Sequence, residues 1–472
     1  MHLTLKNYIQ GVQDWSLSAQ EVVKHYVKKA KKMNADLFAF VRFHDEYVDK
    51  HLDECATKEL KSAPIGIKDI ILTEGYISSC GSKMLENYIS PYTATCITNL
   101  ENHGWLIIGK TNMDEFAMGS STETSYFGKT YNIYGKDRVP GGSSGWSATA
   151  VAADMCIAAL GTDTGWSIRQ PAALCGIVGM KPTYGMVSRY GVQSMASSLD
   201  QVGVLTKTVE DAEILLKAIA GFDPHDSQSN PRSDAFVISK SEKWNKKYKV
   251  AVPQEVIGAW LDPKIKKLFL DKVEQLRKQW YEIDEVAMPM LAFSVAIYYT
   301  LMPAELSTNL ARFDGIRFGL QESTLGCKNI KEYYEKIRSE WFGEEAKRRI
   351  LLGTFVLSSA NYEWYYLKWQ QARQEMQDEF DDFFQKYDFI LTPTSPEVAR
   401  KMGAKSDDPI KMYLSDMYTI PANMAWLPAI SVPMGMVEDQ GEMLPAGIQL
   451  MANKWEEDKL FGFGKVVEGL NK

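Results

Sequence analysis

From Ala63 to about Gly221 the chain is crowded with Gly, Ser, Thr and Ala, interrupted only by short apolar runs. No other feature restricts the fold as much. Small residues let backbone segments approach closely, and short apolar runs between turn residues read as buried strands. LIIGK, after ENHG, is predicted as a strand following a helix. SATAVAADM is predicted as a small-residue helix, with CIAALGTD as the strand after it. The pattern returns in longer form from Tyr248, with KVAV and YEIDEV as strands around the amphipathic helix PKIKKLFLDKVEQLRKQ. Tyr299 to Met376 is predicted to be mainly helical, and FILTP, AISVP and AGIQLM to be core strands. Strands alternating with helices predict an α/β class with a mostly parallel or mixed sheet. Residues 18 to 60, including EVVKHYVKKAKKM, carry apolar positions at helical spacing. A helical N-terminal segment (1–62) is therefore expected on a single main body (63–472), divided into core motifs (63–221) and a C-terminal part (222–472). There is no fixed-period repeat and no low-complexity linker.

Composition narrows the function classes. A hydrophobic share of 45%, a charged share of 24% and a net charge of −7 are those of a globular chain. Lys and Arg are dispersed, which argues against a nucleic-acid surface of its own. The N-terminus lacks a basic region followed by an apolar one, and no apolar run reaches the roughly 18 residues that span a bilayer. The six cysteines form no CxxC pair and no disulfide spacing. A reduced, cytoplasmic setting is expected, and no metal motif such as HExxH is present.

Three runs carry chemistry. VPGGSSGWSATA (139–150) is a flexible loop entering a helix N-terminus. It reads as a turn or, more weakly, as a phosphate cradle, which would need a following Lys that is absent. GTDTGWSIRQPAA (161–173) follows a strand and exposes Ser167 on a tight turn. Backbone N–H groups at Thr164, Gly165 and Trp166 could there receive an oxyanion. APIGIKDI places Lys68 at the end of a buried strand, where desolvation can lower its pKa and make it a base. Taken singly, each run also reads as an ordinary structural turn or a solvated strand end.

Taken together and in this order, GIKD, GGSSG and DTGxSIRxPA closely resemble the amidase signature family. The resemblance implies an α/β/α sandwich with a large mixed sheet covered by helices. It also implies a Lys68–Ser143–Ser167 triad, with Ser143 held before a cis peptide bond and Ser167 as nucleophile. Asp163 and Arg169 are expected to form an ion pair supporting the loop. Three further stretches, at 109–128, 307–319 and 407–433, resemble the glutaminase subunits of tRNA-dependent amidotransferases. That implies free glutamine as substrate, with Arg349 on its carboxylate, Asp416 on its α-ammonium, and Tyr298 or Tyr299 in the pocket. The ammonia would convert Glu-tRNA(Gln) to Gln-tRNA(Gln) in a heterotrimer with B and C subunits. The B subunit would use ATP and Mg²⁺, and this chain no cofactor. A stand-alone amidase of another small amide, or an impaired scaffold paralogue, are the alternatives.

The impaired reading arises from tryptophan. Trp146 and Trp166 stand inside the catalytic motifs where the family pattern has Gly. Trp260, Trp280, Trp341 and Trp426 also occupy Gly-like sites, so six of the twelve tryptophans are affected. A shared cause is expected: UGA codons read as Gly by the source organism and printed as Trp, with UGG at sites such as Trp244.

Overall fold

The computed structural model describes residues 2–239, 248–258, 260–320, 326–404 and 415–471. Trp244 and the first part of the third stretch, 407–414, lie outside the described residues.

Eleven strands form one mixed sheet: β1 (Phe40–Phe43), β2 (Ala63–Lys68), β3 (Trp105–Thr111), β4 (Ala158–Asp163), β5 (Val178–Lys181), β6 (Gln201–Thr206), β7 (Lys249–Pro253), β8 (Glu282–Val286), β9 (Phe389–Pro393), β10 (Ala429–Asp439) and β11 (Glu442–Ala452). Their order is β1-β3-β2-β4-β6-β5-β10-β11-β9-β7-β8. β3, β2 and β4 run parallel, as do β9, β7 and β8; the strands between pair antiparallel. The mixed α/β architecture matches the expectation, and each strand read from the sequence is present. β2 and β4 are buried along their whole length, which explains their unbroken apolar and small-residue runs.

The N-terminal segment is less purely helical than expected. Helices Leu5–Gln13, Ala19–Leu37 and Asp45–Thr57 are interrupted by β1, which pairs antiparallel with β3 at the sheet edge. Phe38 stops the second helix in a left-handed turn (φ 50°). The Asn34 amide then bonds both the N–H (2.7 Å) and the C=O (2.9 Å) of Phe40. Four residues between two strong helical patterns leave too short a period-2 signal to be read.

A second correction concerns apolar length. Pro289–Arg312 is a helical stretch long and apolar enough to cross a membrane, with a mean hydropathy of 1.2 and half of that window buried. Its helix Ser294–Asn309 packs inside the molecule, where a Cβ on Gly353 would lie 1.8 Å from the Pro303 carbonyl oxygen. That close crossing brings Tyr298 and Met302 opposite Arg349 of helix Glu344–Val356.

Among the described residues four tryptophans have positive φ: Trp15 (64°), Trp280 (68°), Trp426 (60°) and Trp455 (70°). A bulky L-residue there is strained by roughly 1–2 kcal/mol. Trp280 and Trp426 each stand one residue beyond a helix C-cap. The N–H of Trp280 donates to Arg277 (2.9 Å) and that of Tyr281 to Leu276 (3.3 Å); Trp426 donates to Asn423 (3.3 Å) and Leu427 to Ala422 (2.9 Å). This double bond pattern closes a Schellman motif, whose left-handed residue is usually Gly. Trp280 is 76% exposed, so most of its indole faces solvent. Trp280→Gly is therefore expected to stabilise the fold by about 1 kcal/mol. In calorimetry the unfolding midpoint should rise by about 1–2 °C; a lowered midpoint would show that the indole itself is stabilising.

Candidate active site

Parallel pairing brings the C-terminal ends of β2 and β4 side by side, with Ile67 opposite Leu160. Lys68 ends β2, and the turn Thr164–Ser167 leaves β4. The GGSSG loop enters helix Gly145–Ala152 beside them. The sheet thus gathers the three separate sequence runs at one place.

Lys68 is fully buried. Its Nζ lies 2.7 Å from Ser143 Oγ, 2.8 Å from Ser144 Oγ and 2.9 Å from Thr162 Oγ1. Burial pushes its pKa down to about 7, against the opposing pull of Asp114, Asp163 and Asp200. The Gly142–Ser143 peptide is cis. It precedes Ser143, whereas the sequence led us to expect it after that residue. The Ser144 N–H donates to the Ser167 carbonyl (3.1 Å), joining the two serine loops. Ser167 is 3% exposed, so the turn holds it buried, where the sequence led us to expect an exposed hydroxyl.

If neutral Lys68 is the base, activity falls as pH drops through about 7, because protonation removes its lone pair. The kcat/KM profile should rise with pH to a plateau above this value. A profile flat from pH 5 to 9 would exclude Lys68 as the titrating base.

Asp163 and Arg169 form a fully buried ion pair at 2.9 Å. The Asp163 carboxylate also accepts the N–H groups of Ile168 (3.1 Å) and Arg169 (3.4 Å). Arg169 further donates to Gly165 O (3.0 Å), Thr419 O (2.8 Å), Gln449 Oε1 (2.7 Å) and Asn423 Oδ1 (2.5 Å). With its donors satisfied, the guanidinium shapes the turn around Ser167. Thr164 donates its hydroxyl to Asp200 Oδ1 at 2.7 Å, tethering the turn on its other side.

Arg349, Tyr298, Tyr299 and Trp166 form one cluster. Trp166 is 1% exposed, its ring 5.2 Å from that of Tyr298 and 6.2 Å from that of Tyr299, and its Nε1 donates to Gly119 O (3.3 Å). Tyr298 closes over Gly165, where an added Cβ would lie 2.9 Å from the ring. Arg349 sits 5.8 Å from the Tyr299 ring, with its Nε on Glu345 (2.7 Å). Glu345 keeps the Arg349 guanidinium firmly charged, against the effect of burial. Asp416 is buried and accepts from Gln170 Nε2 at 3.3 Å. Trp146 is fully buried on the GGSSG helix, its Nε1 without an acceptor among the described residues.

Ser144, Thr162, Asp200 and Gln170 were not singled out from the sequence. Ser144 and Thr162 stand inside the quoted motifs, but only the fold shows that they surround Lys68 Nζ. Among the described residues no group of three or more His, Cys, Asp or Glu is arranged to hold a metal ion.

The model of the Amidase family matches residues 21–461. The chain belongs to the amidase family. It is 43% identical to the A subunit of glutamyl-tRNA(Gln) amidotransferase from Sulfurihydrogenibium sp. (strain YO3AOP1), over 99% of this chain and 97% of that one. The corresponding protein of Persephonella marina is 44% identical over 96% and 94%. Among solved structures, that of the A subunit of glutamyl-tRNA(Gln) amidotransferase from Thermotoga maritima superposes with a TM-score of 0.80. It is 38% identical, and the match covers 98% of this chain and 93% of that one. The resemblance of the motifs to this family, and of the longer stretches to amidotransferase A subunits, agrees with these matches.

Proposed function

We propose that the chain hydrolyses free glutamine to glutamate and ammonia, as the glutaminase component of a tRNA-dependent amidotransferase. The observation that carries this reading is the Lys68–Ser143 contact of 2.7 Å inside a buried site, with Ser167 on the adjoining turn. Around that turn lie a buried guanidinium and a buried carboxylate, the pair an α-amino acid requires. Kinship with the A subunits of Glu-tRNA(Gln) amidotransferases supports the same substrate.

In this mechanism neutral Lys68 takes a proton from Ser143 as Ser143 takes one from Ser167. The Ser167 oxygen attacks the amide carbon, and the N–H groups of Thr164, Gly165 and residue 166 receive the oxyanion. The proton returns through Ser143 to the leaving nitrogen, so the C–N bond breaks and ammonia departs. Water, deprotonated along the same path, then releases glutamate from the acyl-enzyme. Arg349 holds the carboxylate, Asp416 the ammonium, and Tyr298 the wall beside Gly165. Ammonia passes to a B subunit that activates tRNA-bound glutamate with ATP and Mg²⁺, and a C subunit completes a cytoplasmic heterotrimer.

Trp166 favours a second reading for the sequence as it stands. Its indole fills the space between Gly119 and Tyr298, where a substrate side chain would enter. A chain with Trp there is an impaired paralogue. We infer that residue 166 is Gly in the natural protein, together with residues 146, 260, 280, 341 and 426. The left-handed backbone at Trp15 and Trp455 adds those two positions. All eight codons should be UGA and that of Trp244 UGG; UGG throughout would refute this. The test of function is ammonia release from glutamine by the full chain with Gly or Trp at 146 and 166, with its B and C partners present. Release that responds to the partners supports the glutaminase reading. Turnover of other small amides without partners, and no response to them, would replace it with a stand-alone amidase.

A further inference from the structure

Gln170, four residues after Trp166 and 3% exposed, touches three parts of the site at once. Its Oε1 accepts the Gly142 N–H at 3.1 Å, one residue before Ser143. Its Nε2 donates to Asp416 Oδ1 (3.3 Å) and to the Ser120 carbonyl (3.4 Å). Its backbone N–H donates to the Trp166 carbonyl at 2.9 Å, so the residue is anchored on the nucleophile turn itself. The loop is shaped to receive this amide. A Cβ on Gly141, at φ 84°, would lie 2.7 Å from Gln170 Oε1, and one on Gly142 would lie 2.2 Å from Asp114 Oδ2. Any side chain at 141 would push the amide away from the loop.

We propose that Gln170 is a positioning residue that locks the Ser143 loop and the Asp416 carboxylate into one frame, so that triad alignment and recognition of a substrate α-ammonium depend on the same side chain. The proposal rests on the glutaminase reading for the role of Asp416. The amide is suited to this task because it is neutral and bifunctional: one end accepts from a backbone N–H while the other donates to a carboxylate. Bonding through Oδ1 fixes the plane of the Asp416 carboxylate without neutralising its charge. A methionine at 170 has nearly the same size and removes all of the side-chain bonds. A glutamate keeps the acceptor for Gly142 and loses the donor to Asp416.

The experiment uses the full chain with Gly at 146 and 166, and two substrates: glutamine and glutaramate, the same amide without the α-ammonium. Rates of Ser167 labelling by a fluorophosphonate report the triad separately. Gln170→Met is expected to slow labelling. It should also lower kcat/KM about 10-fold further for glutamine than for glutaramate, mainly through KM. Gln170→Glu should restore the labelling rate but not the preference for glutamine. A purely structural role would depress both substrates equally and leave their ratio unchanged, and that result would overturn the proposal. So would recovery of glutamine preference in Gln170→Glu. If the parent chain labels at Ser167 but prefers glutaramate, the glutaminase reading itself fails, which is a distinct outcome.

Discussion

Trp166→Gly is expected to raise glutamine hydrolysis by about 100-fold or more, the scale set by misplacing a reacting group or losing an oxyanion donor. The indole lies between the Thr164–Ser167 turn and the two tyrosines, 5.2 and 6.2 Å from their rings. Removing it opens the wall beside Tyr298 and frees the backbone at 166 to move onto an oxyanion. The gain should appear in both kcat and KM, because the same space is needed for binding and for the transition state. Fold stability should change in the opposite direction, since a buried indole leaves a cavity unless the tyrosines close in, a cost of about 3–5 kcal/mol at most. Steady-state ammonia release and thermal unfolding measured on the same pair of proteins separate the two effects. Unchanged hydrolysis after the substitution would mean that the indole does not occupy the substrate's place.

The second large effect is expected from loss of the proposed nucleophile. Ser167→Ala, made in the chain with Gly at 146 and 166, should reduce kcat by at least about 10⁴-fold while leaving the fold intact. The side chain is small and the turn is shaped by the Asp163–Arg169 pair, so its removal disturbs no packing. Glutamine should still bind, because Arg349, Asp416 and Tyr298, the residues proposed to hold it, are untouched. Calorimetric titration of Ser167→Ala with glutamine checks this: retained binding with lost turnover is expected. Retained turnover would move the nucleophile elsewhere, with Ser143 or Ser144 next in reach of Lys68.

Much of the candidate site was legible because the residues proposed to carry its chemistry lie in short local runs. Lys68, Ser143 and Ser167 each stand in a short run whose residue types fit the chemistry. The motif mattered, because burial alone does not single out Lys68. Lys181 is also buried at a strand end and pushed down to about 7, yet its Nζ donates to backbone carbonyls rather than to a serine. What the sequence could not supply was long-range. The role of Gln170 depends on Asp416, 246 positions away, and that of Arg169 on Asn423 and Gln449. Such pairs leave no periodicity behind. β1 escaped for the opposite reason, being four residues long between two strong helical patterns. The tryptophans were conspicuous as residue types, but only backbone angles separate Trp280 and Trp426, in left-handed turns, from Trp166, whose backbone is not left-handed.

The most direct test of the glutaminase reading is mass spectrometry of the full chain, with Gly at 146 and 166, after reaction with a glutamine-mimicking diazoketone. A single adduct on Ser167 is expected, formed faster above pH 7 than below it and suppressed by excess glutamine. An adduct on another residue, or labelling of Ser167 indifferent to glutamine, would contradict it.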